Sequence, residues 1–191
     1  MYPEDLKALS ESDLTDLYGE LVEPNPILGF STFEAQKTQV SLTVLDVVSA
    51  PNMQQLMNVV SSDFRPATFN FWTTPLLWLV DAKGRILFAL EEMFFDKDDE
   101  YIGAKHRKLS VPDGGYRLGH PAFVGAQKAR ISGEIFFDRS AGSARWMITN
   151  GSGRYGIGRG RTERQLENVA RRFKALNLSL ETKFIKPRRR S

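Results

Sequence analysis

The sequence has no cysteine, which removes disulfides, thiol nucleophiles and thiolate metal sites and leaves the redox compartment open. No apolar run reaches the roughly 20 residues that a membrane-spanning helix needs. The start, Met1-Tyr-Pro-Glu-Asp5, carries neither a basic cluster nor an apolar stretch, so the expected location is the cytoplasm, with delivery to another cell by a signal-peptide-independent route as the alternative. No Gly-Lys-Ser/Thr closes the glycine run near residue 160, which excludes a Walker A loop. The acidic stretch Glu91 to Glu100 lacks the alternating oxygen ligands, central glycine and closing glutamate of a calcium loop, and no residue set points to a metal. Internal repeats and a clear domain boundary are missing too.

What is present fits one soluble domain. The chain has 191 residues, 41% hydrophobic and 26% charged, enough to bury a single sizeable core. The expected architecture is α+β: a single domain over residues 1–186, a largely antiparallel sheet with helices packed on it, then a basic tail at 187–191. The net charge of +3 is unevenly spread, because Arg154 to Ser191 holds 12 Lys/Arg against 3 Asp/Glu. That last part attracts polyanions; the rest, net negative, does not.

Periodicity supplies the elements. Leu6, Leu9, Leu14, Leu17, Tyr18 and Leu21 recur at roughly helical spacing, with Ser10 or Ser12 as a break or cap and Glu23-Pro-Asn-Pro26 as the end. Thr38 to Val44 alternates like a strand. Pro51 to Ser61 reads as a helix with Leu56, Val59 and Val60 inward, and Phe69 to Trp72 as a strand. Leu76 to Asp81 and Arg85 to Leu90 form a hairpin across a turn containing Gly84. Glu91 to Glu100 reads as a solvated loop, and Gly103 to Gly125, with His106 and His120, as a long irregular connection. Strands follow at Ala129 to Phe137, Arg145 to Asn150 and Thr182 to Lys186. Between the last two, Thr162 and Gln165 form a capping box for a helix with Leu166, Val169, Ala170, Phe173 and Leu176 inward and Asn177 as its stop.

The candidate site is the loop before that helix, Gly151-Ser-Gly-Arg-Tyr-Gly-Ile-Gly-Arg-Gly160. Glycines let backbone N–H groups approach a ligand, guanidinium forks match phosphate oxygens, and a helix N-terminus favours an anion. Gly151, Ser152, Gly153, Arg154, Gly156, Arg159 and Arg161 are the expected ligand-binding residues. Gly151 to Gly156 matches G-x-G-x-x-G, but the helix starts too late and no acid ends the next strand, which tells against a dinucleotide fold. His120, Glu134 and Tyr155 are the expected catalytic residues, histidine and a desolvated glutamate being the usual proton carriers. The alternative for His120 is a hydrogen-bonded structural role.

One resemblance emerges from these residues. Gly119-His120-Pro-Ala, Ala129-Arg-Ile-Ser-Gly133-Glu134 and Asn150-Gly-Ser152-Gly153-Arg154-Tyr155, followed by a helix, resemble a module with an Asn-x-Ser-Gly-His-Tyr signature. That module occurs in C-terminal domains of secreted bacterial toxins and effectors and in plant IQ-motif calmodulin-binding proteins. The similarity runs from His120 to Ile185. Arg154 stands where the signature has histidine. The resemblance implies a bacterial effector or toxin-type domain.

Three functions follow as expectations. The first is an effector or toxin that engages a phosphorylated ligand through the Gly/Arg loop, a nucleotide or NAD for ADP-ribosyl transfer; no motif specifies a cofactor. Transferases of that superfamily with a His-Tyr-Glu set place the glutamate last, whereas Glu134 precedes Tyr155. The second is a non-enzymatic nucleic-acid binder using the basic C-terminal third. The third is an immunity or adaptor-type domain that binds a protein partner through an acidic surface around Glu91 to Glu100; for a toxin the protein partner would be a cognate antidote or target.

Overall fold

Leu76–Val80 is buried at every position, as a strand is when both faces of its sheet are covered. In a computed structural model, which describes residues 9–61, 74–138 and 145–187, the strands in chain order are β1 (Thr43–Val44), β2 (Leu76–Val80), β3 (Ile86–Leu90), β4 (Glu92–Phe95), β5 (Tyr101–Ala104), β6 (Gly115–Leu118), β7 (Ser132–Asp138), β8 (Arg145–Thr149) and β9 (Glu181–Lys183). The helices are α1 (Glu11–Tyr18), α2 (Thr32–Gln36), α3 (Ala50–Ser61) and α4 (Glu163–Ala175), with a 3-10 turn at His120–Val124. Six strands form one sheet in the order β1-β3-β2-β7-β8-β9, and three form a second in the order β5-β4-β6. Every pairing is antiparallel except β8 with β9. The α+β architecture and its largely antiparallel sheet are as the sequence implies.

The alternation along β2 assigns the two faces. Leu76, Trp78 and Val80 join Ile135, Phe137 and Ile148 in a core shared with α1, α3 and α4, while Leu77 and Leu79 face Phe123, Ala129 and Tyr155 on the other side. On α4, Leu166, Val169, Ala170 and Phe173 are buried and Leu176 is partly so. Its N-terminus is closed by the Thr162 hydroxyl accepting from Gln165 N–H and the Gln165 side chain accepting from Thr162 N–H, the reciprocal arrangement of a capping box. Asn177 takes φ +63° just beyond the helix.

Several segments differ from their patterns. α1 starts at Glu11, capped by Ser10, and stops at Gly19 (φ +85°) rather than at Pro24, so Leu21 lies outside it. Residues 1–8 and the proposed strand Phe69 to Trp72 lie outside the described residues. Of the strand expected from Thr38 to Val44 only β1 forms, because the buried Glu92 carboxylate takes the N–H groups of Val40 and Ser41. The buried stripe of α3 is Ala50, Met53 and Met57, with Val59 exposed. Glu91 to Glu100 is no loop: β4 and a turn occupy it. The stretch Gly103 to Gly125 contains the end of β5, all of β6 and the 3-10 turn, stiffened by Phe33, Phe94 and Tyr116 stacking. No helix among the described residues is long and apolar enough to cross a membrane.

Two buried arginines tie the layers together. Arg130, wholly buried, donates to Gly19 O (2.8 Å) and Glu11 Oε1 (2.7 Å), anchoring α1 to the sheet. Arg161 in turn donates to the carbonyls of Arg130 and Tyr155.

Phe173 is fully buried. Phe173→Ala is expected to destabilise the fold by about 3–5 kcal/mol, the usual effect of truncating a buried phenylalanine. Chemical denaturation of both proteins checks this, and an unchanged midpoint would remove α4 from the core.

Candidate functional site

On the sheet face opposite α4, the open part between the two sheets holds a cavity of about 330 Å³. Its wall comes from Leu77 of β2, Glu134 of β7, Glu91 at the β3–β4 junction and Arg117 of β6. His120 opens the 3-10 turn, Glu34 projects from α2, and Gly151 to Arg154 close one side. Leu77 and Glu134 are register partners, as are Glu134 and Thr149, so the strand pairing itself sets the glutamate over the cavity.

The loop is a knot built around its own polar groups. Gly151 N–H donates to Thr149 Oγ1 (3.1 Å), Arg154 N–H to Ser152 Oγ (3.3 Å), and both Gly156 and Ile157 N–H to Ser152 O. Asn150 staples it to the last strand: Nδ2 donates to Ile185 O (3.1 Å) and Oδ1 accepts from Ile185 N–H (2.7 Å). Gly133 and Gly156 are needed for close backbone approach, since a Cβ would lie 1.7 Å from Thr149 O at the first and 2.3 Å from Asn150 O at the second. The expected nest of free N–H groups is therefore mostly consumed within the loop.

The sequence-derived residues divide accordingly. Gly151, Ser152, Gly153, Arg154, His120 and Glu134 share the cavity. Tyr155 does not: it is fully buried under the sheet, its hydroxyl donates to Gln127 O (2.8 Å), and burial raises its pKa far above the ordinary range. Arg161 is spent on backbone carbonyls, with burial and the neighbouring Arg159 and Arg130 lowering its pKa to about 10. Arg159 donates to Glu23 O (3.1 Å), and Gly156 packs against backbone. α4 contributes no residue to the cavity wall, and its capping box takes the Thr162 and Gln165 N–H groups.

Charge in the cavity is unevenly paired. Glu34 accepts from Ser31 and Gly119 N–H, Glu91 pairs with Arg117 (3.2 Å) and Glu134 with Arg107. Arg107 also lies over the Phe136 ring. Arg154 has no such partner: its Nη1 is buried and without an acceptor among the described residues. Burial raises the pKa of both Glu91 and Glu134, each also raised by a neighbouring carboxylate and lowered by nearby arginines. Both carboxyls thus hold protons closer to neutrality than an exposed glutamate.

His120 is held neutral. Its Nε2 lies 2.9 Å from Gly133 O, and a carbonyl only accepts, so Nε2 carries the proton and Nδ1 keeps a lone pair. Burial lowers its pKa to about 4; the Gly133 bond opposes this and the Arg154 charge adds to it. Glu34, Glu91, Arg117 and Leu28 also line the cavity and carry no functional sign in the sequence. Ser31-Thr-Phe-Glu34 is a legible capping box, which marks a helix start and gives no sign of a second role.

No protein-family model matches the chain, and no curated protein or solved structure matches it.

The buried neutral histidine gives a pH test. The folded state refuses a proton below pH 6.5 that the unfolded chain takes, so the stability from a neutral His120 is complete above about 6.5 and is lost as pH falls toward 4. The loss is roughly 1.4 kcal/mol per pH unit. Glu91 and Glu134, with raised pKa values, act in the opposite direction. The difference between the parent and His120→Gln isolates the histidine: the variant's stability should decline less steeply between pH 6.5 and 4, measured by denaturant titration at several pH values. Parallel curves would mean His120 is protonated in the fold.

Proposed function

We propose that this is an effector or toxin-type domain whose cavity binds a phosphorylated small molecule, a nucleotide, through Arg154. The observation that carries this reading is that Arg154 lines the cavity and forms no ion pair among the described residues, and that its Nη1 is buried without an acceptor, as are the Nε atoms of Arg130, Arg145 and Arg159. A buried guanidinium N–H without a partner is costly, and an anionic oxygen relieves it with a charge-assisted bond. The remaining motif residues have structural work: Asn150 staples Ile185, Ser152 ties the loop and Tyr155 anchors to Gln127. Arg154, at the signature's histidine position, is the one whose side chain is left for a ligand.

The chemistry available beside it is acid–base. Glu134 and Glu91, with raised pKa values, can deliver or accept a proton at a leaving group or an attacking hydroxyl, and neutral His120 offers Nδ1 as an acceptor. ADP-ribosyl transfer from NAD would be one reaction of this kind, with part of the dinucleotide outside a cavity of about 330 Å³. Tyr155 lies outside the cavity, so a His-Tyr-Glu set would be incomplete; the acid–base roles rest on the two glutamates.

Arg154→Ala is expected to weaken binding of a nucleoside phosphate about 10- to 150-fold, the loss of one charge-assisted hydrogen bond. Arg154→Lys should restore part of the affinity, since an ammonium keeps the charge without the planar fork. Calorimetry with AMP at fixed ionic strength checks both. Equal affinities across the three proteins would overturn the reading.

A further inference from the structure

The cavity has a third kind of wall besides the cation and the carboxylates. Leu28 lines it although 54% of the residue is exposed, and Ile27 (75%) and Phe30 (47%) beside it are exposed as well. Leu28 is thus a large apolar side chain held out to water on the wall of a polar site, with exposed Ile27 and Phe30 near it in the chain. The turn is not a loose end. Asn25 N–H donates to Arg154 O (3.0 Å), Ile27 N–H to Asn25 Oδ1 (3.1 Å), Leu28 N–H to Asn25 O and Gly29 N–H to Pro26 O. Leu28 is so close to the loop that its Cδ1 would lie 2.4 Å from a Cβ built on Gly153. The apolar wall is thus fastened to the backbone of the residue that supplies the cation. The same segment runs on into α2, which brings Glu34 to the cavity.

We infer that the ligand is a mononucleotide, its base against Leu28, its ribose hydroxyls on the Glu34 and Glu91 carboxylates and its phosphate on Arg154. The inference rests on the anion-binding role of Arg154 and adds the ligand class. Size selects within the nucleotides: small-molecule sites span about 300–1,000 Å³, and a cavity of about 330 Å³ sits at the bottom of that range, where a mononucleotide fits and a dinucleotide such as NAD would protrude. Chemistry selects against a bare sugar phosphate or a lipid phosphate. A sugar phosphate leaves Leu28 wet, and an acyl chain would lie against the Glu34, Glu91 and Glu134 side chains that line the cavity. Leu28 is then a specificity-determining residue.

The test measures binding of inorganic phosphate, ribose 5-phosphate, AMP, UMP and NAD to the full chain by calorimetry, in the parent, Leu28→Ser and Arg154→Ala. Leu28 is exposed, so its substitution should leave the thermal midpoint unchanged. AMP or UMP should bind at least tenfold tighter than ribose 5-phosphate, and that tighter than inorganic phosphate. Leu28→Ser should erase roughly tenfold of nucleotide affinity, as expected for half-covering a leucine, with ribose 5-phosphate within twofold of the parent. If ribose 5-phosphate binds as well as the nucleotides, or Leu28→Ser weakens both equally, while Arg154→Ala still weakens both, the ligand class is wrong and the anion site stands. NAD binding tighter than AMP overturns the size argument and with it the mononucleotide. If no phosphorylated probe responds to Arg154→Ala, both readings fall together.

Discussion

The contact between Gly133 on β7 and the backbone at Thr149 and Asn150 on β8 sets the geometry of the site. No side chain fits between these strands at that point, and the missing Cβ lets the end of β8 lie directly against β7. Thr149 O is thereby placed to accept from the Trp78 indole (3.1 Å), and Gly133 O to accept from His120. One absent methyl group joins the tryptophan of the large core, the histidine of the cavity and the start of the Gly/Arg loop. A bulkier residue would have to displace backbone, and backbone cannot yield as the end of a flexible side chain can.

Around that contact, electrostatics does the sorting. The arginines of the chain are treated differently by the fold. Arg161 and Arg130 are buried on backbone carbonyls and lock α1, the loop and the sheet to one another. Arg107 and Arg117 neutralise cavity carboxylates. Arg154 keeps a buried donor without a partner. Within the Gly/Arg loop and its end, Arg159 and Arg161 bind backbone carbonyls while Arg154 lies on the cavity wall beside three glutamates.

That sorting marks what the sequence could reveal. Features set by neighbours in the chain were legible: the Thr162 and Gln165 cap of α4, the buried stripe ending at Phe173, the β2–β3 hairpin with Gly84 at φ +76°. The strand at β7 and the return at β8 were legible for the same reason, since each is a short apolar run bounded by turn residues. Contacts across long separations were not. Glu34 reaches Gly119 from 85 residues away, and Glu92 stops the strand predicted at Thr38 to Val44 by taking two N–H groups some 50 residues distant. Gly151, Gly153 and Arg154 lie at the cavity, as their local glycine and arginine pattern implies, whereas Gly156 packs against backbone. Tyr155 and Arg161 were misplaced because nothing in their spacing says that Gln127 O and Arg130 O wait for them. The helix dipole was misassigned because strand-loop-helix order fixes sequence proximity and leaves the face of the sheet undetermined.

The Asn150 staple also couples distant stretches of the chain. β9 is the parallel neighbour of β8 and arrives only after the loop and α4 have crossed over, and contacts between distant segments form late because the intervening chain must first be closed. The loop that carries Arg154 is pinned at one side by Asn25, near the beginning, and beneath by Ile185, near the end. During synthesis, therefore, Glu34, Glu91, His120 and Glu134 are all made before the last clamp on the loop exists. The position of Arg154 thus rests on contacts from both flanks of the chain, one at Asn25 and one through Asn150 to Ile185.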